Sequence, residues 1–169
     1  NPGNAIEHYN KAIFINGNYY KAYYSLGATL LSEGQNEKAR DALNTAILLE
    51  PTYSKAYGAL GTVEQELGDI DSAIENYIHA IEIDPNAYKI HYRLASAFNL
   101  KNQYEDAKKS AKECLNIKRN YAPAYFELGI SEKALGNKVA ATNAFEKAKK
   151  DKDWRKSAQF ELEMLSKGF

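Results

Sequence analysis

The chain has 169 residues, of which 44% are hydrophobic and 26% are charged, a composition that argues against a disordered protein. Its 22 basic and 22 acidic residues cancel, so the charge balance indicates no general attraction to nucleic acid or to an anionic membrane. No apolar run reaches the length of a membrane span, which argues against direct membrane insertion.

Apolar residues recur at helical spacing along the chain and predict ten helices. The first four residues are interpreted as a loop between helices, and Asn16-Gly17-Asn18 as a turn. The predicted helices span residues 5–15, 20–33, 36–49, 54–67, 70–83, 88–100, 104–117, 122–135, 138–150 and 154–166. The connections between them are short, which indicates antiparallel neighbours.

The pattern repeats with a fixed period, the spacing from Leu26 to Leu60, and no insertion or deletion interrupts it. One series of equivalent positions holds only leucine, and another holds only alanine: Leu26, Leu60, Leu94 and Leu128, and Ala39, Ala73, Ala107 and Ala141. A period of this length is typical of a solenoid, in which each repeat packs on its neighbours.

Glycine occupies two kinds of position in the repeat. Gly34, Gly68 and Gly136 follow the first helix of a pair, where a left-handed residue ends a helix, and Asn102 takes that place in the third pair. Gly61 and its equivalents lie inside helices, where we expect two backbones to approach closely. Because Ala95 fills the equivalent place in the third pair, we expect Gly61→Ala to be mild.

The sequence resembles the tetratricopeptide repeat family. The residues that carry the resemblance are Tyr57, Leu60, Gly61, Ala73, Tyr77, Ala80 and Pro85, with their equivalents in the other repeats. The departures are local: Glu64 and Glu132 replace a usual tyrosine, Gly17, Arg119 and Asp153 replace a usual proline, and Ala111 replaces a large aromatic residue.

The resemblance implies an all-α fold, a right-handed α-solenoid of antiparallel helix pairs. It divides the chain into a half-repeat at residues 1–17, containing only a second helix, and four repeats at 18–153. The repeats begin near residues 20, 54, 88 and 122, and residues 154–169 form a capping helix at the C-terminal end.

No residues form a catalytic, cofactor-binding or metal-binding pattern, so we predict a protein that is not an enzyme and needs no cofactor. His8, His79 and His91 fall at different places in the repeat and should not converge. Cys114 occupies a position that is alanine in the other repeats and is interpreted as a small packing residue.

The resemblance implies that the first helix of each pair lines a concave groove that binds a partner protein or peptide. The predicted groove residues are Lys21, Tyr24, Lys55, Thr62, Lys89, Tyr92, Arg93, Ser96, Asn99, Phe126, Ile130, Phe160 and Met164. The basic part of this set precedes the apolar part, so the expected partner is acidic with an apolar anchor. The competing interpretations are a solvated helix edge for the lysines and internal packing for the aromatic residues.

Two other functions stay open at this point. The chain could be an accessory or docking domain of a larger enzyme or of a membrane-associated complex. It could also associate weakly with itself through its N-terminal helix, where Ile6, Tyr9 and Ile13 form an apolar face. One subgroup of the family clamps the C-terminal carboxylates of chaperones; Lys89 and Arg93 match its basic pair, whereas Tyr24, Ala28 and Ala59 do not match its other positions.

Overall fold

The computed structural model describes residues 2–167 and contains no strand within that range. Its helices are α1 (Pro2–Ile15), α2 (Tyr20–Ser32), α3 (Asn36–Leu49), α4 (Ser54–Leu67), α5 (Ile70–Ile83), α6 (Tyr88–Leu100), α7 (Tyr104–Ile117), α8 (Ala122–Ala134), α9 (Lys138–Ala148) and α10 (Arg155–Ser166). The predicted all-α class of consecutive helix pairs is confirmed.

The chain forms two compact units, one ending at Pro85 and the other beginning at Asn86. The first unit contains α1 and the pairs α2/α3 and α4/α5, and the second contains the pairs α6/α7 and α8/α9 followed by α10. Short loops join the two helices of each pair, as in antiparallel helical hairpins. The division into a half-repeat, four repeats and a capping helix stays a prediction.

Some helix ends differ from the sequence-based expectation. Helix α1 begins at Pro2, so the loop expected over residues 1–4 is wrong from Pro2 onward, and Asn1 lies outside the described residues. Proline suits a first helical turn because its backbone angle is already helical and its missing N–H would have no partner there. Helix α9 ends early, at Ala148, α2 and α8 also end slightly early, and α10 begins late, at Arg155.

The residues that end the first helices have the predicted left-handed conformation. Gly68 has a φ of 89°, and Asn102, which takes the glycine's place in the third pair, has a φ of 58°. Beyond Gly68, the Asp69 N–H donates to the Glu64 carbonyl at 2.9 Å, the hydrogen bond expected of this type of helix end. The turn from first to second helix is therefore specified by a residue that tolerates positive φ.

Gly61 lies where α4 and α5 approach each other. A Cβ atom at this position would lie 2.7 Å from a ring carbon of Tyr77 and 3.0 Å from the Ala73 carbonyl oxygen. The expected close approach is confirmed, but the expectation that Gly61→Ala is mild is inconsistent with these distances. In the third pair Ala95 is opposite Ala111, which is small, whereas Gly61 is opposite Tyr77.

Neighbouring pairs meet through side chains at equivalent positions of the repeat, and the chemistry of these contacts varies. Between α1 and α2 the contact is apolar, with Ile6 packed against the cluster that contains Leu30. Between α3 and α4, Arg40 Nη1 lies 3.8 Å from Glu64 Oε2. Between α7 and α8, Lys108 Nζ lies 3.3 Å from the buried Glu132 Oε2, which also accepts a hydrogen bond from Asn137 Nδ2 at 2.7 Å.

Each unit has its own apolar core. The first contains Leu30, Ala39, Leu43, Leu60 and Val63, so the invariant leucine of the repeat lies in this core at Leu60. The second contains Ala141, Phe145, Ala148, Ala158 and Leu165. Because Ala158 and Leu165 belong to α10, this helix covers an apolar face of the preceding pair.

Candidate functional site

The predicted groove residues lie on the first helices of the pairs and on α10, and the lysines among them reach solvent. Lys21, Lys55 and Lys89 are exposed. Lys21 Nζ lies 5.7 Å from the centroid of the Tyr20 ring, a cation–π distance. None of these lysines has a carboxylate oxygen within ion-pair distance among the described residues, so each can contact an external acidic group.

Tyrosine clusters lie next to these lysines, one in each unit. In the first, the Tyr53 ring meets the Tyr20 and Tyr24 rings edge-on, with centroids 5.1 and 5.2 Å apart. In the second, Tyr121 meets Tyr88 at 5.1 Å and Tyr92 at 5.6 Å in the same way. Only Tyr24 and Tyr92 were predicted. The sequence does contain a pattern that indicates the other four, because each tyrosine of the first cluster has an equivalent tyrosine two repeats later, in the second cluster.

Arg93 is the other predicted basic residue of the second unit, and its guanidinium lies close enough to Tyr121 to influence the pKa of that hydroxyl. Burial raises the pKa of the Tyr121 hydroxyl, the neighbouring Cys114 and Tyr88 raise it further, and the Arg93 guanidinium acts in the opposite direction. Arg93 is itself half-buried. It therefore lies beside the tyrosine cluster rather than on an isolated solvated edge.

The predicted polar groove residues are engaged inside the protein. The Thr62 hydroxyl donates to the Gly58 carbonyl at 3.0 Å and lies 3.4 Å from the Tyr77 hydroxyl. Asn99 Nδ2 donates to both the Glu127 carbonyl at 3.0 Å and the Glu127 carboxylate at 2.8 Å. Ser96 hydrogen-bonds to the same carboxylate. Asn99 and Ser96 therefore join the first helices α6 and α8, whereas Thr62 bonds within α4 and to the facing Tyr77. Among the described residues, Asn99 Oδ1 is a buried side-chain acceptor without a hydrogen-bond partner.

Glu127 is a buried acidic residue that is not among the residues predicted from the sequence. It is 8% exposed on α8, and burial raises the pKa of its carboxyl group, while hydrogen bonds from Asn99 and Ser96 act in the opposite direction. Its position indicates burial, because Glu127 lies inside a first helix next to the leucine position of the repeat. Its charge, considered alone, indicates a solvent-exposed side chain. One repeat further on, Lys133 Nζ pairs with Glu161 Oε2 at 2.9 Å.

The apolar residues of the predicted groove separate into packed and exposed members. The Phe126 ring lies 5.0 Å from Trp154 and 5.6 Å from Phe145, and Ile130 packs against the same core. Phe160 is 59% exposed, and Met164 is half-buried. Phe126 and Ile130 therefore hold α8 to its neighbours, whereas Phe160 is the apolar side chain available to a partner.

The histidines and the cysteine lie in different surroundings. His91 is buried, His79 lies 5.6 Å from the Tyr57 ring, and His8 is exposed on α1. Within residues 2–167, no group of three His, Cys, Asp or Glu side chains could hold a metal ion. Cys114 has no exposed surface, and burial raises the pKa of its thiol to about 12. None of the described helices has the length and apolarity needed to cross a bilayer.

Comparison with known proteins places the repeats in a family. A tetratricopeptide repeat model matches residues 20–53 and 88–121, and a TPR repeat model matches residues 63–101, so that together they span more than half of the chain. The crystal structure of MamA is 23% identical, with 85% of this chain and 84% of that chain covered and a TM-score of 0.78.

A second solved structure has the same fold. YrrB, described as a TPR protein with an unusual peptide-binding site, is 18% identical, with 94% of this chain and 82% of that chain covered and a TM-score of 0.78. At these identities the similarity to MamA and YrrB shows the fold. The repeat models, the helix pairs and the shared fold together establish that the chain belongs to the tetratricopeptide repeat family.

Proposed function

We propose that this protein is a non-enzymatic interaction scaffold that binds an acidic partner segment with an apolar anchor along its first helices. The observation that carries the proposal is the repetition of exposed lysines beside a tyrosine cluster in both units. Tyrosine supplies contact area at low conformational cost, and unpaired lysines attract carboxylates, so the two together favour recognition over packing alone.

Further observations support this function. Tetratricopeptide repeats are scaffold modules, and YrrB, which has the same fold, is described as having a peptide-binding site. Exposed Phe160 provides a contact for the apolar anchor in the second unit. Glu127 is 8% exposed and its carboxylate accepts hydrogen bonds from Asn99 and Ser96, so it is not an acidic group on the surface of the first helices.

A random-peptide library selected against the array tests the proposal. We expect the recovered peptides to combine acidic residues with one aromatic or aliphatic residue. Lys55→Glu and Lys89→Glu should each weaken their binding about tenfold or more, with a steep dependence on salt. Phe160→Ala should remove the preference for the apolar anchor, whereas Phe126→Ala would also disturb the packing with Trp154 and is unsuitable.

The matched control is Lys112→Glu, which reverses an exposed charge on the second helix α7. It should leave peptide binding within about twofold, because screening weakens the effect of distant surface charges. Selected peptides that bind the Lys55→Glu and Lys89→Glu variants as tightly as the unchanged protein would place the binding surface elsewhere.

Self-association is a second candidate function, favoured by the surface of α1. Phe14 is 92% exposed and Ile15 is 84% exposed, and Ile6, Tyr9 and Ile13 are only partly buried. We expect the sedimentation coefficient to rise with protein concentration, and Phe14→Ser with Ile15→Ser to abolish the rise. If the unsubstituted protein sediments as a monomer at all concentrations, self-association is ruled out.

A further inference from the structure

The second unit contains a recess that belongs to none of the surfaces described above. It lies where the end of α7, the start of α8 and the end of α9 come together, and its volume is about 660 Å³. Leu115 and the partly buried Tyr125 provide its apolar lining. Its charged lining consists of Arg119, Lys147, Lys150 and Asp151.

The cations of this recess are not neutralised by the protein. Among the described residues, neither Arg119 nor Lys147 nor Lys150 has a carboxylate oxygen within ion-pair distance. Lys147 Nζ lies 4.9 Å from the centroid of the Tyr125 ring, which holds the ammonium group against the wall of the recess. Asp151 is the one acidic residue in the lining, and its Oδ1 already accepts a hydrogen bond from the Asp153 N–H. Two positive charges remain in excess.

The equivalent corner of the first unit, two repeats earlier, has different chemistry. Pro51 replaces Arg119, His79 replaces Lys147 and Glu82 replaces Lys150. There His79 Nδ1 lies 3.2 Å from Glu82 Oε2, and the His79 ring packs 5.6 Å from Tyr57, so the corner has no excess of cations. The packing of an aromatic ring is common to both corners, whereas the positive charge is a property of the second alone.

We propose that this recess binds a phosphate group. A phosphate monoester near neutral pH has a charge of about −1.5 to −2, which matches the two excess positive charges, whereas a single carboxylate would neutralise only one. Arginine presents paired donors that fit phosphate oxygens, and lysine supplies point charges beside them. The recess is larger than a phosphate ion, so it also has room for the group to which the phosphate is attached.

The test uses the whole array, labelled with ¹⁵N and titrated with inorganic pyrophosphate. We expect saturable chemical-shift changes confined to residues 115–125 and 147–151. Arg119→Pro removes one cation at a position where the first unit already has proline. The residue before it suits proline, because Lys118 has φ −132° and ψ 90°, close to the values of −141° and 85° at Glu50 before Pro51.

We expect Arg119→Pro to weaken pyrophosphate binding about tenfold, and Lys147→Gln with Lys150→Gln to weaken it further. Lys112→Gln, which removes a cation on α7 outside the recess lining, is the control and should change the affinity by less than about twofold. Circular dichroism should show unchanged helix content in every variant. Shifts that do not saturate, or an equal loss of affinity in the Lys112→Gln control, would overturn the proposal.

A second set of titrations identifies the source of the phosphate. A short Gly/Ser peptide containing one phosphoserine is compared with inorganic pyrophosphate and with the same peptide containing glutamate. Tighter binding of the phosphopeptide supports a phosphorylated protein as the natural ligand, and tighter binding of pyrophosphate supports a free phosphate compound. A glutamate peptide that binds as tightly as the phosphopeptide would contradict the assignment to phosphate.

Discussion

The packing of Gly61 against Tyr77 yields a prediction that couples two positions on different helices. A Cβ atom at Gly61 would lie 2.7 Å from the Tyr77 ring, well inside ordinary contact distance, and the ring has no free space because Tyr77 has no exposed surface. Overpacking of a core costs about 1–3 kcal/mol. Alanine stabilises a helix relative to glycine by about 1 kcal/mol, so Gly61→Ala should lower the free energy of unfolding by up to about 2 kcal/mol.

The sign of the same substitution should change when Tyr77 is replaced by alanine. Tyr77→Ala alone should cost about 3–5 kcal/mol, as for other large aromatic residues in cores. In that background the added methyl group at residue 61 meets no ring and keeps one close contact, with the Ala73 carbonyl oxygen at 3.0 Å, so the helix-propensity gain of about 1 kcal/mol should outweigh the remaining strain. The coupling free energy between the two positions should therefore be about 1–3 kcal/mol.

Urea unfolding of the four proteins in this cycle, followed by circular dichroism, measures the coupling. Gly68→Ala provides the control, because Gly68 has a φ of 89° and a Cβ there would meet no atom within 4 Å. It should destabilise through the backbone by about 1–2 kcal/mol, to the same extent with or without Tyr77. If Gly61→Ala has the same effect in both backgrounds, the explanation of the glycine by the facing ring is refuted.

Three further predictions concern buried polar groups. Burial raises the pKa of the Glu127 carboxyl group above its ordinary value of 4.5, so the folded protein holds this proton more tightly than the unfolded chain does. The free energy of unfolding should therefore fall as pH rises from 4.5 through the raised pKa. Glu127→Gln should reduce this pH dependence of the free energy of unfolding, measured with urea. Lys108→Ala should cost about 1–3 kcal/mol, measured by the same method, because it leaves the Glu132 carboxylate buried without its cation. The double variant Lys108→Ile/Glu132→Leu copies the apolar contact between α1 and α2 and should recover the lost stability. If it does not, the ion pair has a role beyond neutralising the buried carboxylate. Cys114, whose thiol pKa is raised to about 12, should react with a thiol reagent at pH 8 only on unfolding, and rapid labelling of the folded protein would contradict its burial.

The helix pairs could be predicted from sequence because the information is repeated. The same small residues, leucines and helix-ending residues return in each repeat, so errors at one repeat are corrected by the others. Asn102 illustrates this, since its left-handed conformation was inferred from glycines at the equivalent positions. The beginning of α1 is also contained in the repeat, because Asn36, Ile70, Tyr104 and Lys138, at the positions equivalent to Pro2, each begin a helix; the turn-forming residues Pro2, Gly3 and Asn4 favoured a loop only when considered locally.

The side-chain contacts could not be predicted in the same way. Glu127 and Asn99 lie on different helix pairs, so neither residue's position in the repeat reveals that they bond. The expectation for Gly61→Ala fails for a related reason: Ala95 is equivalent to Gly61 as a single position, but the residues that face them, Ala111 and Tyr77, differ in size. Alignment of the repeats describes one residue position at a time, whereas packing depends on which two residues face each other.

The contacts between neighbouring helix pairs differ in chemistry, so they determine which repeats could be removed or duplicated without losing an ion pair. Deleting residues 54–87 would bring Arg40 to the register position opposite Phe98, so the contact with the Glu64 carboxylate would be lost and Glu37 of α3 would be the remaining acidic partner of Arg40. Deleting residues 54–121 would instead bring Arg40 opposite Glu132 and preserve the ion pair. Shortened or lengthened arrays should therefore tolerate the loss or gain of a double repeat better than that of a single one. Two repeats are therefore the smallest segment that can be removed after α3, or inserted there, with the ion pair between neighbouring helix pairs kept.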